Sequence, residues 1–318
     1  ATKSRGYAQR QAEPPKPVRL KGKNMGEFEK IASGIYLEGL AVDHARDVIW
    51  YSDVIAGGIH GVRPDGTKVT SFNEGRMWTG GIMVNHDGKV LSSGEGGVMW
   101  NDPDSGRSGW LIDRIEGQPI NGINEMMPDG TGGIFFGTND IEMVIQGGQT
   151  RPTRLYRLTA EGELIELADE IGFSNGIMYD AVRQRFYCND TFKGTWAFYV
   201  TDDLRFRNRS LFLEKEDADG MSLDAEGNLW ITGFRSNFFT RLAPDGTRLP
   251  DFPTPAGSIT QLRFGGADGR DIYFNSVPSD GGDTLKEGGE ITATNSVLFK
   301  GRSERPGLKI EPARFNLN

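Results

Sequence analysis

The sequence predicts an all-β protein, a six-bladed β-propeller with four-stranded antiparallel blades around a central channel. A short apolar segment that ends in a turn recurs along the chain, and successive copies begin 42, 44, 51, 44 and 41 residues apart. That period is typical of a propeller blade. Glycine supplies 44 of the 318 residues, about twice its usual ~7% share, which is typical of turn-rich β proteins. Long helical periodicity is absent.

The recurring segment is interpreted as the first strand of each blade. Five copies end in Asp or Asn and a sixth has diverged: 38–43, 80–85, 124–129, 175–180, 219–224 and 260–265. After each copy, an Asp- and Gly-rich turn leads into a second strand of β-branched and aromatic residues. These second strands are residues 48–53, 90–93, 134–138, 185–190, 229–232 and 272–276.

Third strands precede hairpin turns such as Pro-Asp-Gly in several blades. They are predicted at residues 59–63, 155–158 and 239–242. One strand from an end of the chain should close the ring, and either 26–32 or 307–317 could supply it. We therefore expect a single propeller domain over residues 26–318, preceded by an irregular basic arm at residues 1–25 that is rich in Lys, Arg and Pro.

The composition argues against several classes of protein. A net charge of −8 disfavours a nucleic-acid-binding surface, and a single cysteine cannot form an intrachain disulfide. The sequence has no run of 18 apolar residues, so no membrane span is predicted. Three histidines leave little for histidine-based catalysis. Without disulfides we expect a cytoplasmic protein, with the periplasm as the alternative.

The starts of the first strands should face one another at one mouth of the channel. These positions are Glu38, Gly80, Asn124, Asn175, Asp219 and Thr260. Glu38 and Asp219 would repel each other across a narrow channel unless a cation lay between them. Two carboxylates and two amide oxygens suit a hard divalent cation. We expect Ca²⁺ first, with Zn²⁺, Mg²⁺ and Mn²⁺ as alternatives.

Several segments together resemble a known family. They are LEGLAVDHARDVIWYSD, INGINEMMPDGTGGIFFGT, SNGIMYD, DADGMSLDAEGNLWIT and TQLRFGGADGRDIYFNS. These are similar to motifs of the gluconolactonase/regucalcin (senescence marker protein) family of six-bladed propeller lactonases, with diisopropylfluorophosphatase as a more distant relative. The sequence departs from the family pattern at three positions, where Ile123, Glu125 and Ser174 replace Pro, Asp and Pro.

The resemblance implies roles for particular residues. It makes Glu38, Asn124, Asn175 and Asp219 the metal ligands, and Asp219 the proposed general base as well. Asn121 would contact the substrate. Glu125 keeps the charge of the aspartate it replaces on a side chain one methylene longer, and it is a candidate substrate contact. The sugar-binding arginine of some members has no counterpart in this sequence.

Apolar side chains flank the expected mouth, which predicts a fairly apolar substrate. They are Met77, Trp78, Met126, Met143, Phe192, Trp196, Phe234, Phe238 and Phe239. We expect Trp78 to contact the substrate. Gly80 lacks a side chain, and we expect the resulting gap beside the metal to hold the body of the substrate.

The predicted function is metal-dependent hydrolysis of a lactone or related ester by attack of water on a polarised carbonyl. Hydrolysis of organophosphates at the same metal is one alternative. A non-catalytic calcium-binding or scaffold propeller is the other. The expected partner is a small-molecule lactone, with neither nucleic acid nor membrane, and the sequence makes no prediction of oligomeric state.

Overall fold

The computed structural model describes residues 27–141 and 151–318 of the chain. The arm predicted at residues 1–25 lies outside the described residues. Antiparallel strands make up most of the described part, and their connections are turns, short loops and one short helix, α1 (Gly281–Lys286). None of the described helical segments has the length and apolar character needed to cross a membrane.

The described chain begins with β1 (Glu29–Gly34). The next eight strands form two four-stranded sheets in which strand order equals chain order. The first sheet contains β2 (Leu37–Asp43), β3 (Val48–Asp53), β4 (Ile59–Val62) and β5 (Lys68–Phe72). The second contains β6 (Thr79–Val84), β7 (Val90–Gly94), β8 (Gly97–Asn101) and β9 (Ser108–Ile112).

A small hairpin separates the second sheet from the third. It consists of β10 (Arg114–Ile115) and β11 (Gln118–Pro119). The third sheet contains β12 (Gly122–Pro128), β13 (Ile134–Asn139), β14 (Thr153–Leu158) and β15 (Leu164–Ile171). The fourth contains β16 (Ser174–Asp180), β17 (Arg185–Asp190), β18 (Gly194–Val200) and β19 (Phe206–Glu214).

The remaining strands belong to one eight-stranded sheet that divides naturally in two. One half contains β20 (Ala218–Leu223), β21 (Leu229–Gly233), β22 (Phe238–Leu242) and β23 (Arg248–Pro253). The other contains β24 (Ser258–Gly265), β25 (Asp271–Val277), β26 (Ser296–Arg302) and β1. Between β21 and β24 the register has a single residue pair, Gly233 with Ile259.

The two ends of the chain have different places in this fold. β1 pairs antiparallel with β26 and completes the last group of four strands, so the segment 26–32 overlaps the closing strand. The segment 307–317 does not pair with that group of four strands. It crosses between the sheets instead, because Leu308 N donates to the Leu223 carbonyl and Arg314 N donates to the Gly132 carbonyl, both at 2.8 Å.

The inner strands of a sheet are buried, and the last strand is largely exposed. In β2 six of seven residues are buried, whereas four of five residues in β5 are exposed. β20 is buried throughout, whereas β23, the outermost strand of the same group, has only exposed and half-buried residues. The apolar first and second strands are therefore the core, which is why their pattern is the clearest in the sequence.

The first strands contact one another in a closed ring, in the order β2, β6, β12, β16, β20, β24 and back to β2. A side chain from each second strand donates a hydrogen bond of 2.6–2.8 Å to a main-chain carbonyl near the start of the next first strand. The donors are Ser52, Ser93, Asn139, Asn189, Thr232 and Asn275, and the acceptors are the carbonyls of Gly80, Asn124, Ser174, Asp219, Thr260 and Glu38. These bonds satisfy buried backbone groups where the sheets meet.

Candidate metal centre

One end of the channel carries the four oxygen donors predicted from the repeats. Glu38, Asn124, Asn175 and Asp219 come from β2, β12, β16 and β20 and line a single cavity of about 70 Å³. Each side chain is buried, with 3–8% of its surface exposed. The fold therefore brings two carboxylates and two amides from four different sheets to one point.

A β-bulge places each of these side chains. Where β2 pairs with β3, Leu37 faces Asp53 and Leu40 faces Tyr51, so three steps on β2 match two on its partner. The same three-to-two register shift occurs around Asn124, Asn175 and Asp219. A bulge leaves one residue unpaired and redirects its side chain. The shift explains how side chains at the strand starts turn into the cavity.

The backbone at three of the donors is held by the preceding sheet in the ring. Asn275 Nδ2 donates to the Glu38 carbonyl at 2.8 Å, and Asn189 Nδ2 donates to the Asp219 carbonyl at 2.6 Å. Ser93 Oγ donates to the Asn124 carbonyl at 2.8 Å. Because their main chains are fixed, the side chains are pre-organised for a ligand rather than assembled by it.

The carboxyl groups of Glu38 and Asp219 are close enough to hydrogen bond to each other. Burial raises the pKa of Glu38 from its ordinary 4.5 to about 8, and the hydrogen bond from Asn124 opposes that shift. Burial and the charge of Glu38 raise the pKa of Asp219 well above its usual range. Two buried carboxylates without a cation resist ionisation, so the pair favours a bound positive charge.

Asp219 has an unsatisfied oxygen in this cavity. Its Oδ1 is buried and has no hydrogen-bond partner among the described residues. Asn175 is held instead by Thr191, because Asn175 Nδ2 donates to Thr191 Oγ1 at 3.2 Å and that hydroxyl donates to the Ala218 carbonyl at 2.8 Å. Thr191 was not predicted from the sequence, although it directly follows the second strand β17.

The donor set is of mixed chemistry. Across residues 27–141 and 151–318, no three His, Cys, Asp or Glu side chains converge as a metal-binding group. The channel set has two carboxylates, and Asn124 and Asn175 complete it. Carboxylate and amide oxygens with an orphaned carboxylate atom fit a hard divalent cation such as Ca²⁺.

The cavity walls are largely apolar. Of the side chains predicted at the mouth, Trp78, Phe192 and Phe234 line it. The other apolar walls were not predicted: Tyr36, Val54, Phe173 and Leu285. Lys286 also lines the rim, with its Nζ 4.5 Å from the centre of the Phe192 ring. Leu285 and Lys286 belong to α1, in the connection 278–295, whose length is a signal for a functional loop.

Five other apolar residues predicted at the mouth do not line the cavity, and Met143 lies outside the described residues. Met126 and Phe239 are buried in the core. Trp196 stacks against Arg209, Phe238 lies near Lys215, and Met77 is 46% exposed. The bulge in β12 explains why Met126 packs in the core and not at the cavity. An unpaired residue reverses the face of the sheet on which the later side chains lie.

Two predicted substrate contacts also lie elsewhere. Asn121 is exposed, and its Oδ1 accepts a hydrogen bond from Ile141 N at 2.7 Å. Glu125 is buried inside the channel, where it pairs with Arg263 Nη2 at 3.0 Å and also accepts a hydrogen bond from Gln261. Neither side chain lines the cavity, because each is committed to another part of the protein.

Gly80 does not leave an open gap. A Cβ atom at this position would collide with the Asn124 carbonyl, and Ser52 Oγ donates to the Gly80 carbonyl at 2.8 Å. The missing side chain allows β6 and β12 to approach each other closely. The prediction of a substrate gap at Gly80 is therefore wrong.

Comparisons with known proteins show which proteins this chain is similar to. A pentonolactonase from Haloferax volcanii is 26% identical over 266 residues, covering 79% of this chain and 85% of that protein. A gluconolactonase from Xanthomonas campestris superimposes with a TM-score of 0.73 at 20% identity, covering 93% of this chain and 99% of that one. A calcium-binding protein, regucalcin, from Agrobacterium tumefaciens gives a TM-score of 0.72 at 19% identity, covering 90% and 95%.

The structural matches confirm the all-β propeller fold. The family model described as the SMP-30/Gluconolactonase/LRE-like region matches residues 37–277, from the start of β2 to the end of β25. The matched range contains all four oxygen donors of the cavity. The chain therefore belongs to the SMP-30/gluconolactonase/LRE-like family.

Proposed function

We propose that the protein is a metal-dependent lactonase. The observation that carries this proposal is the convergence of Glu38, Asn124, Asn175 and Asp219 on one buried cavity. Family membership supports the choice of a lactone, since the Haloferax volcanii relative is named a pentonolactonase. We place the cavity at the end of a six-bladed propeller, because the first strands close a ring and only the pair Gly233–Ile259 joins the last two groups of four strands.

Glu38, Asn124, Asn175 and Asp219 would hold the cation, and the fit rests on their chemistry. A divalent cation is favoured by the four hard oxygen donors. It is also favoured by the raised pKa values of Glu38 and Asp219 and by the unsatisfied Asp219 Oδ1. The relative from Agrobacterium tumefaciens is called a calcium-binding protein, which supports Ca²⁺ as the first choice. When bound, the cation supplies Lewis acidity that polarises an ester carbonyl.

Asp219 is the proposed general base. It would take a proton from the attacking water as the new C–O bond forms at the carbonyl carbon. The acyl bond to the ring oxygen then breaks, and that oxygen accepts the proton, so the products are an alcohol and a carboxylic acid on one chain. The remaining donors would keep the site in place while the walls from Val54, Trp78 and Phe173 exclude bulk water.

The walls also indicate the substrate class. Val54, Phe173 and Phe234 offer no hydrogen-bonding side-chain group for sugar hydroxyls, and the rim adds Phe192 and Leu285. We infer that the substrate is a lactone with a fairly apolar body. A hydroxyl-rich aldonolactone would leave those hydroxyls that face these apolar side chains without partners.

The first test is hydrolysis of a panel of aliphatic, aromatic and sugar lactones. The protein is stripped with a chelator and refilled separately with Ca²⁺, Mg²⁺, Mn²⁺ or Zn²⁺. We expect turnover only after refilling, with the highest kcat/KM on apolar lactones. Paraoxon, a phosphotriester, is included to test the organophosphatase alternative.

Asp219→Asn should lower kcat on the best lactone by at least about 100-fold, the usual contribution of a general base. Asp104→Asn is the matched control, because its carboxylate is 78% exposed and pairs with Arg46 on the surface. Full activity of Asp219→Asn would overturn the assignment of the base. Cation binding without turnover on any lactone would instead favour a calcium-binding role.

A further inference from the structure

The indole of Trp78 has an unsatisfied hydrogen-bond donor beside the candidate metal centre. Trp78 directly precedes β6 and lines the same cavity as Glu38 and Asp219. Only 8% of the residue is exposed, and its Nε1 is buried without a hydrogen-bond partner in the described part of the chain. A buried donor without a partner is costly to the folded state.

Other tryptophans in this fold do have partners. The indole Nε1 of Trp50 donates to Asp43 at 3.3 Å, and that of Trp230 donates to Asp224 at 3.1 Å. Trp196 donates to Asp190 at 3.1 Å. In each case the acceptor is a carboxylate near the end of a first or second strand. Trp78 differs from these three in having no acceptor, and it is the one of the four that lines the cavity.

The backbone of Trp78 is also unusual. Its φ of 53° lies in the left-handed region, which a bulky residue rarely adopts. A hydrogen bond of 2.7 Å from Trp78 N to the Val54 carbonyl holds it there. Strained conformations persist where the surroundings enforce them, and they cluster at ligand sites. The strain and the unsatisfied donor thus occur at the same residue.

Within the cavity the donor needs an acceptor supplied by a ligand. The oxygen atoms that line the cavity do not accept a hydrogen bond from this N–H group, since Trp78 Nε1 and Asp219 Oδ1 are both buried without a partner among the described residues. We propose that the Trp78 indole N–H donates a hydrogen bond to an oxygen of the lactone's ester group and so orients that group against Asp219. This inference rests on the proposed lactonase activity and adds a substrate-contacting residue to it.

The ester group is common to all lactones, so the contact should matter equally for each of them. Trp78→Phe keeps an aromatic wall and removes the N–H group. We expect kcat/KM to fall at least about tenfold on every lactone that the wild type hydrolyses, the usual effect of losing one buried hydrogen bond. The matched control is Trp110→Phe, because Trp110 is 46% exposed and stacks on Arg76 outside the cavity.

A second variant separates the hydrogen bond from the shape of the side chain. Replacing Trp78 by 3-benzothienylalanine changes the N–H to sulfur while keeping the bicyclic ring. Equal losses in both variants support the proposal. An unchanged kcat/KM in the benzothienyl variant would overturn it, as would a loss confined to lactones with extra hydroxyl groups.

Nuclear magnetic resonance gives a readout independent of turnover. In protein labelled with ¹⁵N-tryptophan, the Trp78 indole resonance is identified by its absence from Trp78→Phe. A lactam that competitively inhibits hydrolysis should move this resonance downfield and leave that of Trp50 in place. An unmoved Trp78 resonance at inhibiting concentrations would contradict the contact. If the metal-loaded wild type hydrolyses no lactone, the lactonase proposal fails instead.

Discussion

At the scale of single residues, the four oxygen donors could be predicted because the repeats align them. Glu38, Asn124, Asn175 and Asp219 occupy one register position, and the fold brings that position to one cavity. Glu125 shows the limit of the same reasoning. It directly follows Asn124 in sequence, yet it forms a buried ion pair with Arg263 at 3.0 Å. A β-bulge makes the two side chains point in different directions. The local sequence pattern of a bulge is too weak for its position to be predicted.

The buried carboxyl pair leads to a prediction about pH and stability. The pKa of Glu38 rises from 4.5 to about 8 in the folded, cation-free protein. Between those values the unfolded chain releases the proton that the folded protein keeps, so stability falls as pH rises. We expect the Tm of chelator-treated protein to drop by several degrees from pH 5 to pH 8. Thermal melts in both buffers measure it.

Glu38→Gln should weaken this pH dependence, because an amide does not titrate and because Asp219 loses the neighbouring charge that helps to raise its pKa. Glu161→Gln is the matched control, since Glu161 is exposed. Addition of Ca²⁺ at pH 8 should raise the Tm of the wild type and not that of Glu38→Gln. An equal slope in wild type and Glu38→Gln would show that other groups govern stability in this range.

At the scale of elements, strands were easier to predict than loops. The second strands expected at 48–53 and 185–190 coincide with β3 and β17, because β-branched and aromatic runs bounded by turns have a local signature. α1 has no such signature. It spans six residues, begins with Gly281 and Gly282, and is too short to show helical periodicity. Its place over the cavity depends on tertiary contacts.

α1 leads to a prediction about substrate entry. A cavity of about 70 Å³ is far smaller than the ~300 Å³ or more of usual ligand pockets, so we expect the rim to move when a lactone enters. Arg235, which follows β21, pairs with Asp283 of α1, with Nε 2.9 Å from Oδ2, and we expect this pair to oppose that movement. Arg235→Met should raise kcat/KM by up to about fivefold, because exposed pairs contribute up to about 1 kcal/mol.

Steady-state kinetics on the best lactone measure this effect. Arg302→Met is the control, since Arg302 pairs with Asp268 and Asp271 on the surface away from the cavity. A fall in kcat/KM for Arg235→Met would mean that the position of α1 over the cavity assists catalysis more than it impedes entry of the substrate.

At the scale of the whole molecule, the period of the repeats is sufficient to predict a propeller from the sequence. The closing strand could not be chosen from the sequence, because both chain ends are short and irregular. Pairing with β26 decides it: Gly34 faces Ser296 and Ala32 faces Leu298. The ring of hydrogen bonds from second strands was not predicted either, since Ser, Asn and Thr serve as donors in different sheets. The count of six blades remains our proposal.

The proposed function depends on one cation site that four first strands form together. The most direct measurement is anomalous diffraction from crystals grown with Ca²⁺ and then soaked with a lanthanide, which replaces Ca²⁺ at oxygen sites. We predict one anomalous peak between the side chains of Glu38, Asn124, Asn175 and Asp219, and its loss in Glu38→Gln. The proposed cation site would be contradicted if the channel had no peak, or if the lanthanide were bound only by surface carboxylates.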